Sequence, residues 1–213
     1  MRERKILLVL LMMGIGSLLP GQQKSIVPDL STCSDPLQWT LHNRELNYDR
    51  AVHLDAKPGD GVLWNNGLEF ENGRIELEIR GKDLPGRSFV GVAFHGVNDS
   101  TFEAIYFRPF NFKSPERKGH SVQYISHPSF PWHRLRQEFP EKYENPVSPV
   151  PDPNEWFHAT VVVNHPEVKV FVNHAKVPSL VIHQIGNQKN GWIGFWVGNN
   201  AEGSFRKLTV TPE

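Results

Sequence analysis

Four polar side chains in the middle of this 213-residue sequence are placed to do chemistry together: His95, Tyr106, Arg108 and Gln123. An imidazole can carry a proton, and a guanidinium offers a planar fork to a carboxylate or to vicinal hydroxyls. A phenol can stack on the face of a sugar ring and donate a hydrogen bond from its rim. Each stands in a run whose apolar residues alternate, so each is expected on the non-core face of its strand. Two tryptophans join them, since Trp192 and Trp196 flank Gly194 on the polar side of Gly191–Val197. Such a pair is costly to leave in water and calls for a covering loop or ligand. The expected ligand-binding set is Tyr106, Arg108, Gln123, Trp192, Trp196 and Trp132; the catalytic candidates are His95, Glu78 and Glu103.

Other chemistries find less support. Glu76 and Glu78 lie two apart on one strand face, a spacing open to a glycosidase pair. Arg74 and Arg80 flank them and would hold both ionised, which does not suit a general acid. His120, His127 and His133 lack the tight spacing of a zinc site. The turns at Asp60, Asp83 and Asp99 could reach calcium only without any Asp-x-Asp string, so no cofactor is expected. No phosphate loop, dinucleotide fingerprint or nucleophile elbow is present.

The elements that must position these residues are strands. Period-two alternation runs from Leu41 almost to the C-terminus, broken by turn chemistry at Pro58–Gly61, Asn65-Asn66-Gly67, Pro85-Gly86, Val172-Asn173-His174 and Asn187–Gly191. In Arg74–Arg80 the core face is Ile75, Leu77 and Ile79; in Phe89–His95 it is Val90, Val92 and Phe94. In Phe102–Arg108, Ile105 and Phe107 face the core, leaving Tyr106 and Arg108 opposite. About a dozen short antiparallel strands of this kind imply an all-β sandwich or barrel. One helical turn is expected at Trp132–Phe139, inside a long proline-rich and aromatic-rich region from Phe110 to Trp156. Long ordered loops of that composition usually form or cover a site.

The N-terminus has separate business. Arg2, Arg4 and Lys5 precede the apolar run Ile6–Leu19, which reads as a secretory signal peptide over residues 1–21. Residues 22–40 then form a polar leader segment, and 41–213 one β domain. The whole chain has formal charge zero, falling to −2 without residues 1–21, so nothing draws it to nucleic acid or an anionic membrane. Its location is expected to be secreted, periplasmic or in the cell envelope, with no membrane span after cleavage. The single Cys33 can form no internal disulfide, and is read as a thiol without a role. Asn98-Asp99-Ser100 fits a glycosylation sequon.

Three motifs carry a resemblance. Gly191-Trp-Ile-Gly-Phe-Trp-Val-Gly198 followed by Gly203–Val210, the strand Trp156–Val163 with the hairpin Val168–Asn173, and Phe70–Glu78 resemble concanavalin A-like lectin/glucanase domains. They are closest to the bacterial 3-keto-disaccharide hydrolase / family-16 glycoside hydrolase-like domain; His174 stands where that hairpin usually has Gly. The resemblance spans roughly residues 40–211 and implies a two-sheet antiparallel jelly roll, often with a glycan on its concave face. The Glu-x-Asp-x-x-Glu strand of family-16 glucanases is incomplete here: Glu76-Leu-Glu78-Ile-Arg80 lacks the middle Asp and the final acid. The resulting expectation is an exported domain that binds an oligo- or polysaccharide. The alternatives are a glycoside hydrolase-like enzyme in the same groove, or a structural envelope domain whose residues 126–145 plug it.

Overall fold

The computed structural model describes residues 24–213; the signal-peptide reading of residues 1–21 lies outside them. Fourteen strands follow in chain order: β1 Trp39–His42, β2 Leu46–Tyr48, β3 Val52–Leu54, β4 Gly61–Phe70, β5 Gly73–Arg80, β6 Val90–Asn98 and β7 Thr101–Phe107. After them come β8 Val122–His127, β9 Glu144–Asn145, β10 Phe157–Asn164, β11 Glu167–Val172, β12 Leu180–His183, β13 Gly191–Val197 and β14 Gly203–Pro212. Among the described residues there is one α-helix, α1, at Trp132–Glu138.

The strands form two seven-stranded antiparallel sheets, ordered β1-β4-β13-β6-β7-β8-β9 and β12-β11-β10-β5-β14-β3-β2. This is the jelly-roll sandwich expected. Alternation makes it so: Ile75, Leu77 and Ile79 of β5 and Val90, Val92 and Phe94 of β6 are fully buried, one row from each sheet. Phe195 of β13 stacks on Phe205 of β14 with ring centroids 4.8 Å apart, and Phe107 meets Phe157 edge-on at 4.9 Å. Aromatic contacts of this kind tie one sheet to the other.

Several boundaries differ from expectation, each for a local reason. The turn expected at Asn65-Asn66-Gly67 is a bulge within continuous β4, and the pairing to β13 jumps from Ile193↔Asn65 to Trp192↔Glu69 across it. Strand β1 lies partly within the expected leader, and its Trp39 stacks on Phe195 at 6.0 Å. Four residues with two apolar positions are too few to show a period. Ile26 bridges Val210 through backbone hydrogen bonds, and Cys33, expected to have no role, is buried in the hydrophobic core.

Candidate functional site

Beyond β7 the chain enters the region 109–156, which closes over the outer face of the first sheet. It contributes two 3-10 turns, Pro109–Asn111 and Lys118–His120, strands β8 and β9 at the sheet edge, and helix α1. A cleft of ≈ 580 Å³ remains between this region and the sheet.

The floor of the cleft is one row of residues across paired strands. Trp196 of β13 pairs with Gly91 of β6, Gly91 with Tyr106 of β7, Tyr106 with Gln123 of β8, and Gln123 with Glu144 of β9. Gly91 is what lets the row close up: a Cβ there would lie 2.1 Å from the Ile105 carbonyl oxygen and 2.8 Å from the Tyr106 Cβ. In its absence the rings of Tyr106 and Trp196 approach to 5.0 Å.

Arg108, just past the end of β7, reaches back over this row. Its guanidinium donates to the Tyr106 hydroxyl, to Gln123 Oε1 and to the His120 carbonyl, and lies 3.5 Å from Glu144 Oε2. The Tyr106 hydroxyl in turn donates to Gln123 Oε1 at 2.8 Å. Glu144 takes two bonds from Arg136 of α1, at 2.9 and 2.6 Å, and stands 2.8 Å from His120 Nδ1. Burial pushes the Tyr106 phenol up to about 12, so it is a hydrogen-bond donor and not a base. Burial also lowers Arg108, with Arg136 adding like charge. Glu144 would be raised by burial, but the bonds from Arg136 and the charges of Arg136, His120 and Arg108 hold it below the ordinary carboxylate range.

At another part of the cleft wall, Asp60 Oδ2 lies 3.6 Å from His127 Nε2. Burial raises the Asp60 carboxyl, against the opposing pull of His127, Arg44 and the Trp196 indole N–H. Burial lowers the His127 imidazole, and His133 pushes it the same way. Trp196 Nε1 is buried without a partner of hydrogen-bond geometry, so its approach to Asp60 is a loose one. The wall formed by α1 presents Trp132, 48% exposed, with the Arg136 guanidinium 5.1 Å from its ring centroid. Phe89 and Phe110, edge-to-face at 5.6 Å, supply further apolar lining.

The expected residues therefore divide. Tyr106, Arg108, Trp196 and Trp132 line the cleft, with Gln123 buried directly behind as the acceptor that holds Tyr106 and Arg108. Trp192 does not line it: its ring packs on Trp64 at 6.1 Å. His95 is a correction. A bulge with φ 51° at His95 breaks the alternation of β6 and turns the imidazole away from the Tyr106 face. Its Nδ1 lies 3.6 Å from Glu103 Oε2, on the side of β7 that carries Ile105 and Phe107, and both side chains are fully buried. Gln184 donates to Glu103 at 2.6 Å, and a Cβ on Gly186 would meet Glu103 Oε1 at 2.3 Å. Neither His95 nor Glu103 has a path to a ligand in the cleft.

Glu78 is on the opposite sheet. It pairs with Arg206 at 2.5 Å and Lys207 at 2.7 Å, which outweigh the effect of burial and keep its carboxyl low. The expected partner Arg80 instead lies over the Trp156 ring, 4.9 Å from its centroid. Asp60 and His127 escaped the sequence reading as a pair because 67 positions separate them and neither falls in a spaced motif. Among the described residues, no group of three or more His, Cys, Asp or Glu is close enough to hold a metal ion. No helix among them is long and apolar enough to cross a membrane.

The family model described as the 3-keto-alpha-glucoside-1,2-lyase-like domain matches residues 32–211. No curated protein matches the chain in sequence. Among solved structures, the carbohydrate-binding module CBM66 from Bacillus subtilis superposes with TM-score 0.61 at 14% identity, covering 82% of this chain and 96% of that one. A putative glycosyl hydrolase from Parabacteroides distasonis gives 0.56 at 12% identity, covering 88% and 94%. The metal-free exoplasmic/lumenal domain of VIP36 gives 0.60 at 13%, covering 83% and 85%. At these identities the likeness is one of fold.

Proposed function

We propose, for a chain that belongs to the 3-keto-alpha-glucoside-1,2-lyase-like family, that the cleft over Tyr106 and Arg108 binds a carbohydrate, and that the protein does so outside the cytoplasm. The observation that carries this reading is the cleft's composition. Half-exposed Trp132 offers a ring face for stacking, beside a guanidinium fixed by Tyr106 and Gln123. Sugars present both needs, with apolar C–H faces and a rim of hydroxyls. Neighbours of similar fold that are named as a carbohydrate-binding module and a mannose-bound lumenal domain support it. The basic and apolar pattern of residues 1–19 supports export. The cleft stays open beside residues 126–145, which disfavours a purely structural domain with a plugged groove.

The experiment is a titration of neutral and charged oligosaccharides against wild type and Trp132→Ala. Trp132 lies at the rim, so its truncation should leave the fold intact and weaken binding at least about tenfold. Equal affinity in both proteins would remove the stacking role, and no binding by wild type would remove the reading.

A second reading is favoured by the Asp60–His127 pair. The family description is of a lyase acting across C1 and C2 of a 3-keto glucoside. In such a sugar the C3 carbonyl acidifies the C2 proton. His127, held toward its neutral form, would take that proton. The C2–H electron pair becomes the C1=C2 bond as the C1–O bond breaks. Asp60, held toward its protonated form, would give its proton to the departing oxygen. Release of an absorbing enone from a 3-keto glucoside, lost at least about a hundredfold in His127→Gln with binding retained, is the expected result. Unchanged turnover in that variant would discard the assignment.

A further inference from the structure

We infer that the cleft is built for an anionic carbohydrate, one whose ring carries a carboxylate or a sulfate within reach of Arg117 and Arg108; this rests on the glycan-binding reading above. Among the described residues, three guanidiniums line the cleft, from Arg108, Arg117 and Arg136, and one carboxylate, Asp60, lines it with them. A second carboxylate, Glu144, lies buried behind the floor.

Both carboxylates are already committed to protein partners. Asp60 faces His127 at 3.6 Å and feels the charge of Arg44. Glu144 accepts two bonds from Arg136, stands against His120 and lies at 3.5 Å from Arg108. Two guanidiniums thus share one carboxylate, and Arg117 forms no ion pair with any described residue. Its hydrogen bonds are made by backbone alone, the N–H donating to Ser114 Oγ and the carbonyl accepting from the His120 N–H, so the side chain is uncommitted. A neutral sugar can accept from a guanidinium through its hydroxyls but gains nothing from an excess of positive charge in the cleft wall. An anionic one does: a guanidinium fork fits two oxygens of a carboxylate or sulfate, and a cleft of one sign concentrates the opposite charge.

The geometry pairs this charge with a stacking surface. Arg136 occupies one part of the Trp132 ring, at 5.1 Å from the centroid, while the ring remains 48% exposed. Arg117 enters from the Lys118–His120 side and Trp132 from α1, so the segment after β7 and the helix place cation and ring on the same cleft. A sugar ring lying on Trp132 would direct an acidic substituent toward the guanidiniums. Oligogalacturonate and chondroitin sulfate oligosaccharides present the same oxyanion chemistry from two sources, and both serve as probes.

The experiment is calorimetric titration of the full protein at about 20 mM and about 300 mM salt, spanning weak to strong screening. The ligands are oligogalacturonate, a chondroitin sulfate oligosaccharide and a neutral galacto-oligosaccharide of equal length. At low salt, at least one anionic ligand should bind at least about tenfold tighter than the neutral one, and the gap should shrink at high salt. Arg117→Gln should cost that ligand about tenfold and leave the neutral one unchanged, as loss of a charge-assisted bond does. Oligogalacturonate carries carboxylate alone and chondroitin sulfate both carboxylate and sulfate, so the better of the two shows whether carboxylate suffices or sulfate adds to it. A neutral sugar that binds as tightly, or an Arg117→Gln variant that leaves anionic binding intact, overturns the inference while glycan binding stands. Failure of all three ligands overturns both.

Discussion

The Asp60 carboxylate and the His127 imidazole face each other at 3.6 Å on the cleft wall, and burial drives both toward their uncharged forms. The signs give a test. A carboxyl raised by folding contributes most below its unfolded value and loses that contribution as pH rises through the folded one. Ionising Asp60 within the fold is thus a net cost, and Asp60→Asn should be at least as stable as wild type at pH 7 while losing function. His127 is lowered, so the unfolded chain takes a proton first as pH falls below about 6.5, and stability declines there. Urea unfolding of both proteins at pH 7 and pH 5 reads this; a less stable Asp60→Asn at pH 7 would refute it.

Glu144 behaves in the opposite sense. Its folded value lies below the ordinary 4.5, because Arg136, His120 and Arg108 outweigh the effect of burial. Its stabilising contribution is present above that ordinary value and is lost as pH falls through the folded one. Wild type should therefore lose stability with acid below about pH 4.5, and Glu144→Gln should flatten that limb while being weaker at pH 7. Parallel acid limbs in the two proteins would show that the ion cluster is not the cause.

Gly91 fixes the floor of the cleft through its missing side chain. In Gly91→Ala the new Cβ would press on the Ile105 carbonyl at 2.1 Å, and backbone must move to relieve it. A loss of about 1–3 kcal/mol is expected, with altered Trp196 fluorescence as the Tyr106–Trp196 contact opens. Chemical denaturation and emission spectra measure the two effects, and an unperturbed variant would mean that the row is looser than the contacts imply.

Truncating His95 should separate structure from function. The imidazole is fully buried, stacks on Phe70, meets the Glu71 carbonyl at 2.8 Å and lies 3.6 Å from Glu103, so its removal leaves a cavity and an unmet carbonyl. His95→Ala should cost about 2–5 kcal/mol, as large-to-small core truncations do, yet the folded fraction should bind sugar as wild type does. Trp132→Ala is expected to reverse the pattern, with stability nearly unchanged and affinity reduced. A His95→Ala protein of normal stability and impaired binding would restore His95 to the site.

Much of the fold was legible because alternation is a local code. Ile75, Leu77 and Ile79, or Val90, Val92 and Phe94, show their buried face within one strand. What defeated the code was a local bulge. At His95, where φ is 51°, the β6–β7 register slips from Phe94↔Glu103 to Asn98↔Thr101 and the imidazole leaves the face that alternation assigns it; composition carries no trace of that. The same applies to Asn65–Leu68, where a turn-like sequence is absorbed as a bulge because β1 and β13 hold β4 on both sides.

The sequence by itself determined an all-β sandwich and put Tyr106, Arg108, Gln123 and Trp196 on one face, since side-chain direction follows from a period of two. It also marked 110–156 as the segment that matters. Only the tertiary structure decided that Gly91 draws Tyr106 against Trp196, that Arg108 is held by Gln123 and Glu144, and that Asp60 meets His127. Trp192 and His95 left the set for the same reason. Which residues share a cleft depends on sheet order, bulges and loop closure, and those are contacts between segments far apart in the chain.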